Sequence, residues 1–107
     1  MIPEITPTAL KQRLESGDTT ITIIDVRQPW EVDICRIPNS LNIPMDDIPD
    51  SLDQLPREGT IVFVCHSGQR SAAVTNWLRM QGYTNILNMA GGIDRWAREV
   101  DPSMRRY

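Results

Sequence analysis

The sequence predicts an α/β fold on an open, largely parallel sheet, and three observations predict it. Residues 19–26, Thr-Thr-Ile-Thr-Ile-Ile-Asp-Val, make a short run rich in β-branched side chains, as a buried strand requires. Residues 61–64, Ile-Val-Phe-Val, are apolar at four consecutive positions, so the strand from Thr60 to Val64 is expected to be covered on both faces. Segments with helical spacing separate and follow these runs, which is the alternation of a parallel sheet.

Each element has its own signal. Thr6-Pro7 reads as an N-cap followed by proline at the first helical position, and Leu10, Leu14 and a closing Gly17 suit a helix of about ten residues. The strand at 19–26 follows and ends on Asp25-Val26-Arg27, which places two charges at its carboxyl end. Ile37-Pro38 and Leu41-Asn42-Ile43-Pro44 allow only a short extended piece, since each proline removes a donor and restrains its predecessor. From Met45 to Leu55 the spacing of Ile48, Leu52 and Leu55 predicts a small acidic helix. After the 60–64 strand and the segment Cys65 to Ser71, a helix is expected over Ala72 to Gln81, with Ala73, Val74, Trp77 and Leu78 on one face and Gly82 ending it. A last short strand at Asn85 to Leu87, a turn at Gly91-Gly92 and a helix carrying Ile93, Trp96 and Ala97 complete the chain.

Composition narrows the function. The chain has 107 residues, 40% of them hydrophobic, so residues 1–107 are expected to form a single domain. Eleven Lys+Arg against fourteen Asp+Glu give a formal charge of -3, with the basic residues scattered, so no nucleic-acid or anionic-membrane footprint is expected. The longest apolar run, Ile61 to Cys65, is far below the roughly 20 residues of a membrane span. Two cysteines, Cys35 and Cys65, are too few for a disulfide framework, and with the lone His66 they cannot complete a zinc site without distant carboxylates. A reducing, cytoplasmic setting with no metal is the expectation.

The chemistry concentrates at Cys65. In open α/β sheets ligands bind beyond the carboxyl ends of the strands, where Cys65 stands. The segment to Ser71 holds Gly68 and small polar residues, so its backbone can curl until several N–H groups face one point, and the following helix aims its unpaired amides there too. A thiol in such a cradle is expected to ionise more readily. The bland alternative is a small apolar residue ending a core strand. The nucleophilic reading requires the amides to face inward and the thiol not to be sealed in the apolar interior. Four residues separate Cys65 from Arg70, one fewer than in cysteine-based phosphatases. The tighter ring has less room for a phosphoryl group but can surround the outer sulfur of a persulfide, about 2.05 Å from the cysteine sulfur. Sulfur transfer is thus favoured over phosphate or arsenate chemistry, for which Asp25 and Asp94 stay open as general acids.

These residues resemble a known family, the single-domain rhodaneses, which are thiosulfate or persulfide sulfurtransferases. Asp25-Val26-Arg27 with Pro29 and Glu31 resembles one family segment; Ile37-Pro38 through Leu41-Asn42-Ile43-Pro44 resembles a second. Cys65 to Ser71 resembles the Cys-x-x-Gly-x-Arg-Ser active loop, and Gly91-Gly92-Ile93 with Trp96 the closing signature. Val100-Asp101-Pro102-Ser103 with Tyr107 resembles the ending of rhodanese domains fused to enzymes that activate sulfur carriers. The resemblance implies an open, mainly parallel five-stranded sheet with helices on both faces, and a ping-pong cycle without cofactor. In it Cys65 is the nucleophile, and His66, Ser67, Gly68, Gln69 and Arg70 hold the substrate sulfur. The implied donor is thiosulfate or polysulfide; the acceptor is a small thiol, cyanide or a protein thiol. Cys35-Arg36 stands where the family usually has Gly-His, and Asn39 replaces a glycine. The loop has no lysine, so its formal charge is that of Arg70 plus whatever His66 holds.

Other residues carry paired readings. Cys35 is an ordinary loop residue or a resolving thiol for Cys65, the latter suiting a non-catalytic, redox-sensing module. His66 relays protons or points to solvent. Asp25 and Arg27 are expected in structural ion pairs, Arg27 with Glu31 for example. Trp30, Trp77 and Trp96 are read as core or lid packing. Asp46, Asp47, Asp50 and Asp53 are read as a solvated face.

Overall fold

A computed structural model describes residues 2–107. Five strands form one sheet: β1 Glu4–Ile5, β2 Ile21–Asp25, β3 Leu41–Asn42, β4 Thr60–Val64 and β5 Ile86–Met89. Their order is β1-β5-β4-β2-β3, and every pairing is parallel. Among the described residues the α-helices are α1 Pro7–Glu15, α2 Pro29–Ile34, α3 Gln69–Met80 and α4 Gly92–Glu99. The fold class expected from the sequence is the one observed.

β4 lies at the centre, and its alternating residues feed two cores. Ile61, Phe63 and Cys65 join Ile24, Val74, Leu78 and Ile86 on the face that α3 covers. Val62 and Val64 join Leu10, Ile23, Met89 and Trp96 on the face that α1 and α4 cover. The unbroken apolar run therefore reflects a strand buried on both sides, since successive side chains point to opposite faces. Cys35 packs in the second core and Cys65 in the first.

Several boundaries moved for local reasons. α1 starts as expected, with the Thr6 hydroxyl accepting from the Ala9 N–H at 3.1 Å. Residues 45–54 form 3-10 turns rather than an α-helix: Pro49 sits inside the segment and Ser51 breaks it at φ -118. A proline lacks the N–H an α-helix needs and its ring clashes with the preceding turn. α3 begins at Gln69, three residues before the expected start, because Gly68 takes φ 97 and turns the chain straight into the helix. Asn39 adopts φ 67, the left-handed conformation that asparagine tolerates in place of glycine. β1 and α2 were not foreseen. β1 has two residues and exists only by pairing with β5, Glu4 opposite Asn88. α2 has six, started by Pro29 and by the Glu31 carboxylate accepting from the Gln28 N–H at 2.9 Å. Among the described residues no helix is long and apolar enough to cross a membrane.

Candidate active site

Because every strand is parallel, the carboxyl ends of β2, β3 and β4 share one edge, and the candidate residues collect there. Cys65 follows the last residue of β4. Its Sγ accepts from the Gly68 N–H at 3.1 Å, the Ser71 N–H at 3.4 Å and lies 3.3 Å from the Ser71 hydroxyl. Two main-chain amides thus face the sulfur, one at the N-cap of α3 and one in its first turn. Both lie at the positive end of the α3 dipole, which favours negative charge on the sulfur. Ser71 is fully buried and its hydroxyl also reaches Asn88 Oδ1 at 2.5 Å. One hydroxyl proton cannot serve both acceptors, so this group can follow the charge on the sulfur.

The cradle is braced from below by α4. The Cys65 carbonyl accepts from the Ile93 N–H at 2.8 Å and the His66 carbonyl from the Asp94 N–H at 3.0 Å. Gly92, at φ 62, makes this approach possible: a Cβ there would lie 2.5 Å from both carbonyl oxygens. The Gly91-Gly92 turn read from the sequence is therefore part of the site.

Two ion pairs frame the edge. Arg70, in the first turn of α3, is bidentate to Glu31 of α2 at 2.7 and 2.8 Å. Arg27 is fully buried and grips Asp25 at 2.6 Å. The expected Arg27–Glu31 ion pair is corrected accordingly: Arg27 touches the Glu31 main-chain carbonyl at 3.3 Å, while the carboxylate belongs to Arg70. The geometry of a two-residue spacing at the strand end puts Asp25 and Arg27 side by side. Arg70's hydrogen bonds hold the Glu31 carboxyl down at about 2 against a burial that would raise it, with the Gln28 N–H and the Tyr107 hydroxyl helping. Burial disfavours the charge on Arg27, but the bonds from Asp25 and Tyr107 outweigh it and keep the guanidinium charged.

The remaining candidates separate. His66 is half-buried and its ring stacks on Tyr107, centroids 4.1 Å apart at 14°, rather than pointing freely into solvent. Ser67 and Gln69 are exposed and complete the turn around the sulfur. Trp30 is 61% exposed, at the rim of the site, edge-on to Tyr107. Cys35 ends α2 on the opposite face of the sheet from Cys65, which removes the resolving-thiol reading. Ser71, Asn88 and Tyr107 were not singled out as site residues. Ser71 closes the loop motif and was legible; Asn88 and Tyr107 reach the site only through the fold.

Of the two conditions set for the nucleophilic reading, one is met and the other is not, since Cys65 packs within the first hydrophobic core. The amides face inward, yet Cys65 is 0% exposed. Its sulfur is held by polar donors but out of contact with water.

A family model for the rhodanese-like domain matches residues 6–99, and the chain belongs to that family. It is 38% identical over 102 residues to a sulfurtransferase of Allochromatium vinosum, covering 95% of this chain and 94% of that one. It is 39% identical over 101 residues to a putative sulfurtransferase of Bacillus subtilis, covering 94% and 96%. Among solved structures, a rhodanese-like domain protein from Staphylococcus aureus superposes with a TM-score of 0.83 at 35% identity, covering 92% of this chain and 95% of that one.

Proposed function

We propose that the chain is a sulfurtransferase that carries a sulfane sulfur from thiosulfate or polysulfide to a thiophilic acceptor through a persulfide on Cys65. The observation that carries this reading is the pair of main-chain amides, Gly68 and Ser71, aimed at Sγ from the head of α3. The Cys65 thiolate attacks the outer sulfur of the donor, and the donor's S–S bond breaks. The leaving group, sulfite from thiosulfate, departs with the bonding pair. The persulfide's outer sulfur then lies in the turn formed by His66, Ser67, Gly68, Gln69 and Arg70, whose main-chain dipoles offset its charge. A small thiolate, cyanide or a protein thiol attacks that sulfur, and the electrons of the broken bond return to Cys65. The family membership and the names of the full-length relatives support the same reading. Two free thiols fit a reducing, cytoplasmic setting.

The charge balance bears on the donor. Arg70 and Arg27 are both already paired with carboxylates, and the loop has no lysine. A polysulfide is therefore favoured over doubly charged thiosulfate, and steady-state rates with both donors and mercaptopyruvate side by side test this. The decisive experiment is mass spectrometry after donor treatment: Cys65 gains about 32 Da, one sulfur atom, and Cys65→Ser gains none. Absence of any addition from every donor overturns the proposal. The zero exposure of Cys65 favours a second reading, a rhodanese-like module that binds partners without turnover, and that same absence of sulfur loading selects it.

A further inference from the structure

α3 leaves the catalytic loop carrying a stripe that packing does not explain. Arg70, Ala73, Trp77 and Met80 follow one another at spacings of three, four and three, so they share one side of the helix. Arg70 is tied to Glu31, but Ala73, Trp77 and Met80 are exposed, Trp77 by 36% and Met80 by 75%. The exposed side of a surface helix ordinarily carries polar residues. At Ala73 and Trp77 the stripe borders a groove of about 370 Å³, whose other wall is Met45, Ile48 and Pro49 of the 45–54 segment. Ile48 and Val74 form its buried side, and both pack in the core that holds Cys65.

The groove therefore lies on the sheet face of Cys65, and it starts at the catalytic edge. The Met45 N–H donates to the Val26 carbonyl at 2.9 Å, and the Val26 N–H to the carbonyl of Val64, the residue before Cys65, at 2.9 Å. Along α3 the rise from Arg70 to Trp77 is about 10 Å, which about three extended residues span. The rim is acidic. Asp46 lines it, and Asp46, Asp47, Asp50 and Asp53 are all exposed, with no basic residue in their segment and no ion-pair partner among the described residues. The α3 lining, Ala73, Val74 and Trp77, brings no positive charge to offset them. An apolar centre with Met and Trp, ringed by exposed charge, is the anatomy of a protein interface. A small-molecule site would aim buried polar groups inward, whereas Asp46, the charged residue of this lining, is exposed.

We infer that this groove docks a protein acceptor whose cysteine stands about three residues from an apolar side chain flanked by lysine or arginine. The inference rests on the sulfur-transfer reading for its reaction, but docking can be measured with no sulfur present. The apolar side chain enters between Trp77 and Ile48, and the basic heads meet the Asp46 rim while their carbon stems cover the exposed indole. The partner's thiolate then attacks the outer sulfur of the Cys65 persulfide. The S–S bond breaks, its electron pair returns to Cys65 as the thiolate, and the partner leaves as the persulfide. Cyanide and small thiols have nothing to place in the groove and bypass it.

The test loads the whole chain with polysulfide and measures the second-order rate of sulfur discharge to synthetic peptides. One carries a leucine about three residues from a cysteine and is flanked by lysines; the second has glutamate for every lysine, and the third has serine for the leucine. The lysine peptide is expected to react about tenfold faster than either of the others, and its lead over the glutamate peptide to shrink with added salt. Trp77→Ala is expected to abolish the leucine preference, and Asp46→Lys combined with Asp50→Lys the lysine preference. Discharge to cyanide stays unchanged in both variants, which a general loss of structure would not allow. Thermal melting checks folding; should Trp77→Ala fail to fold, the exposed aspartate variant decides. Equal rates with the three peptides, or variants that slow cyanide and peptide alike, overturn the inference. A dimer in sedimentation that Trp77→Ala dissociates overturns it in favour of a second copy of this chain. If Cys65 takes up no sulfur, the sulfur-transfer reading falls, and the same peptide ordering in fluorescence anisotropy upholds the docking surface.

Discussion

Around Cys65 a few short hydrogen bonds set the chemistry, and neighbouring side chains are specialised to support them. Ser71 shows this best: fully buried, it lies within reach of both Sγ and Asn88 Oδ1. Ser71→Ala leaves Asn88 Oδ1 without its donor and is expected to lower stability by about 1–3 kcal/mol, read from the urea midpoint, while also slowing sulfur loading of Cys65. Glu31 provides a pH signature. Its carboxyl is held at about 2 instead of the ordinary 4.5, chiefly by Arg70. A carboxyl depressed on folding stabilises the native state above its unfolded pKa, and that contribution drains away as pH falls through the folded value. Wild type is therefore expected to lose about 2 kcal/mol between roughly pH 4.5 and pH 2 from this group, less than the full shift implies because Arg70 is 35% exposed. Glu31→Gln should flatten that part of the acid-unfolding curve; an unchanged curve contradicts the assignment.

Elements bring these residues together by ending in the same place. β4 delivers Cys65, α3 begins four residues after it, and α4 begins beneath it, so the loop is squeezed between two helix starts. Gly92 is the joint of that arrangement. Gly92→Ala combines a strained φ of 62 with a Cβ 2.5 Å from two carbonyl oxygens. It is expected to cost about 2 kcal/mol or more and to displace the loop, so that sulfur loading falls even in the folded fraction. Melting temperature and loading stoichiometry together check this. The helix starts were only partly legible. Proline at the first position marked α1, whereas the start of α3 was read at Ala72 and lies at Gln69, where Gly68 in its left-handed conformation caps the helix. α2 carried a proline and an N-terminal glutamate but only six residues, too few for any periodicity to show.

The molecule as a whole is one parallel sheet between two cores, and its stability is concentrated on the central strands. Phe63 is fully buried in the core that also holds Cys65, and Phe63→Ala is expected to cost about 3–5 kcal/mol in chemical denaturation. Asp25→Ala should cost a similar amount, about 3–5 kcal/mol, although it removes no apolar surface, because it strands the Arg27 guanidinium at zero exposure. If Asp25→Ala proved neutral, Arg27 would have to find other partners, and the buried pair would be incidental to the fold.

Local pattern alone was sufficient for the fold class, an α/β fold on an open, largely parallel sheet, but not for β1 or α2. Four consecutive apolar residues in 61–64 can be satisfied only by cover on two faces, and the motif from Cys65 to Ser71 carries its glycine turn and helix start within seven residues. Information of that kind is contained in neighbours along the chain. The pairing of Arg27 with Asp25 instead of Glu31, the handover of Glu31 to Arg70, the separation of Cys35 from Cys65 by the sheet, and the contact of Tyr107 with Arg27, 80 positions away, were decided by the tertiary structure. They depend on which strand ends share an edge and which side chains the folded chain leaves room for. A charged or aromatic side chain has many partners within reach in sequence, and only packing selects one.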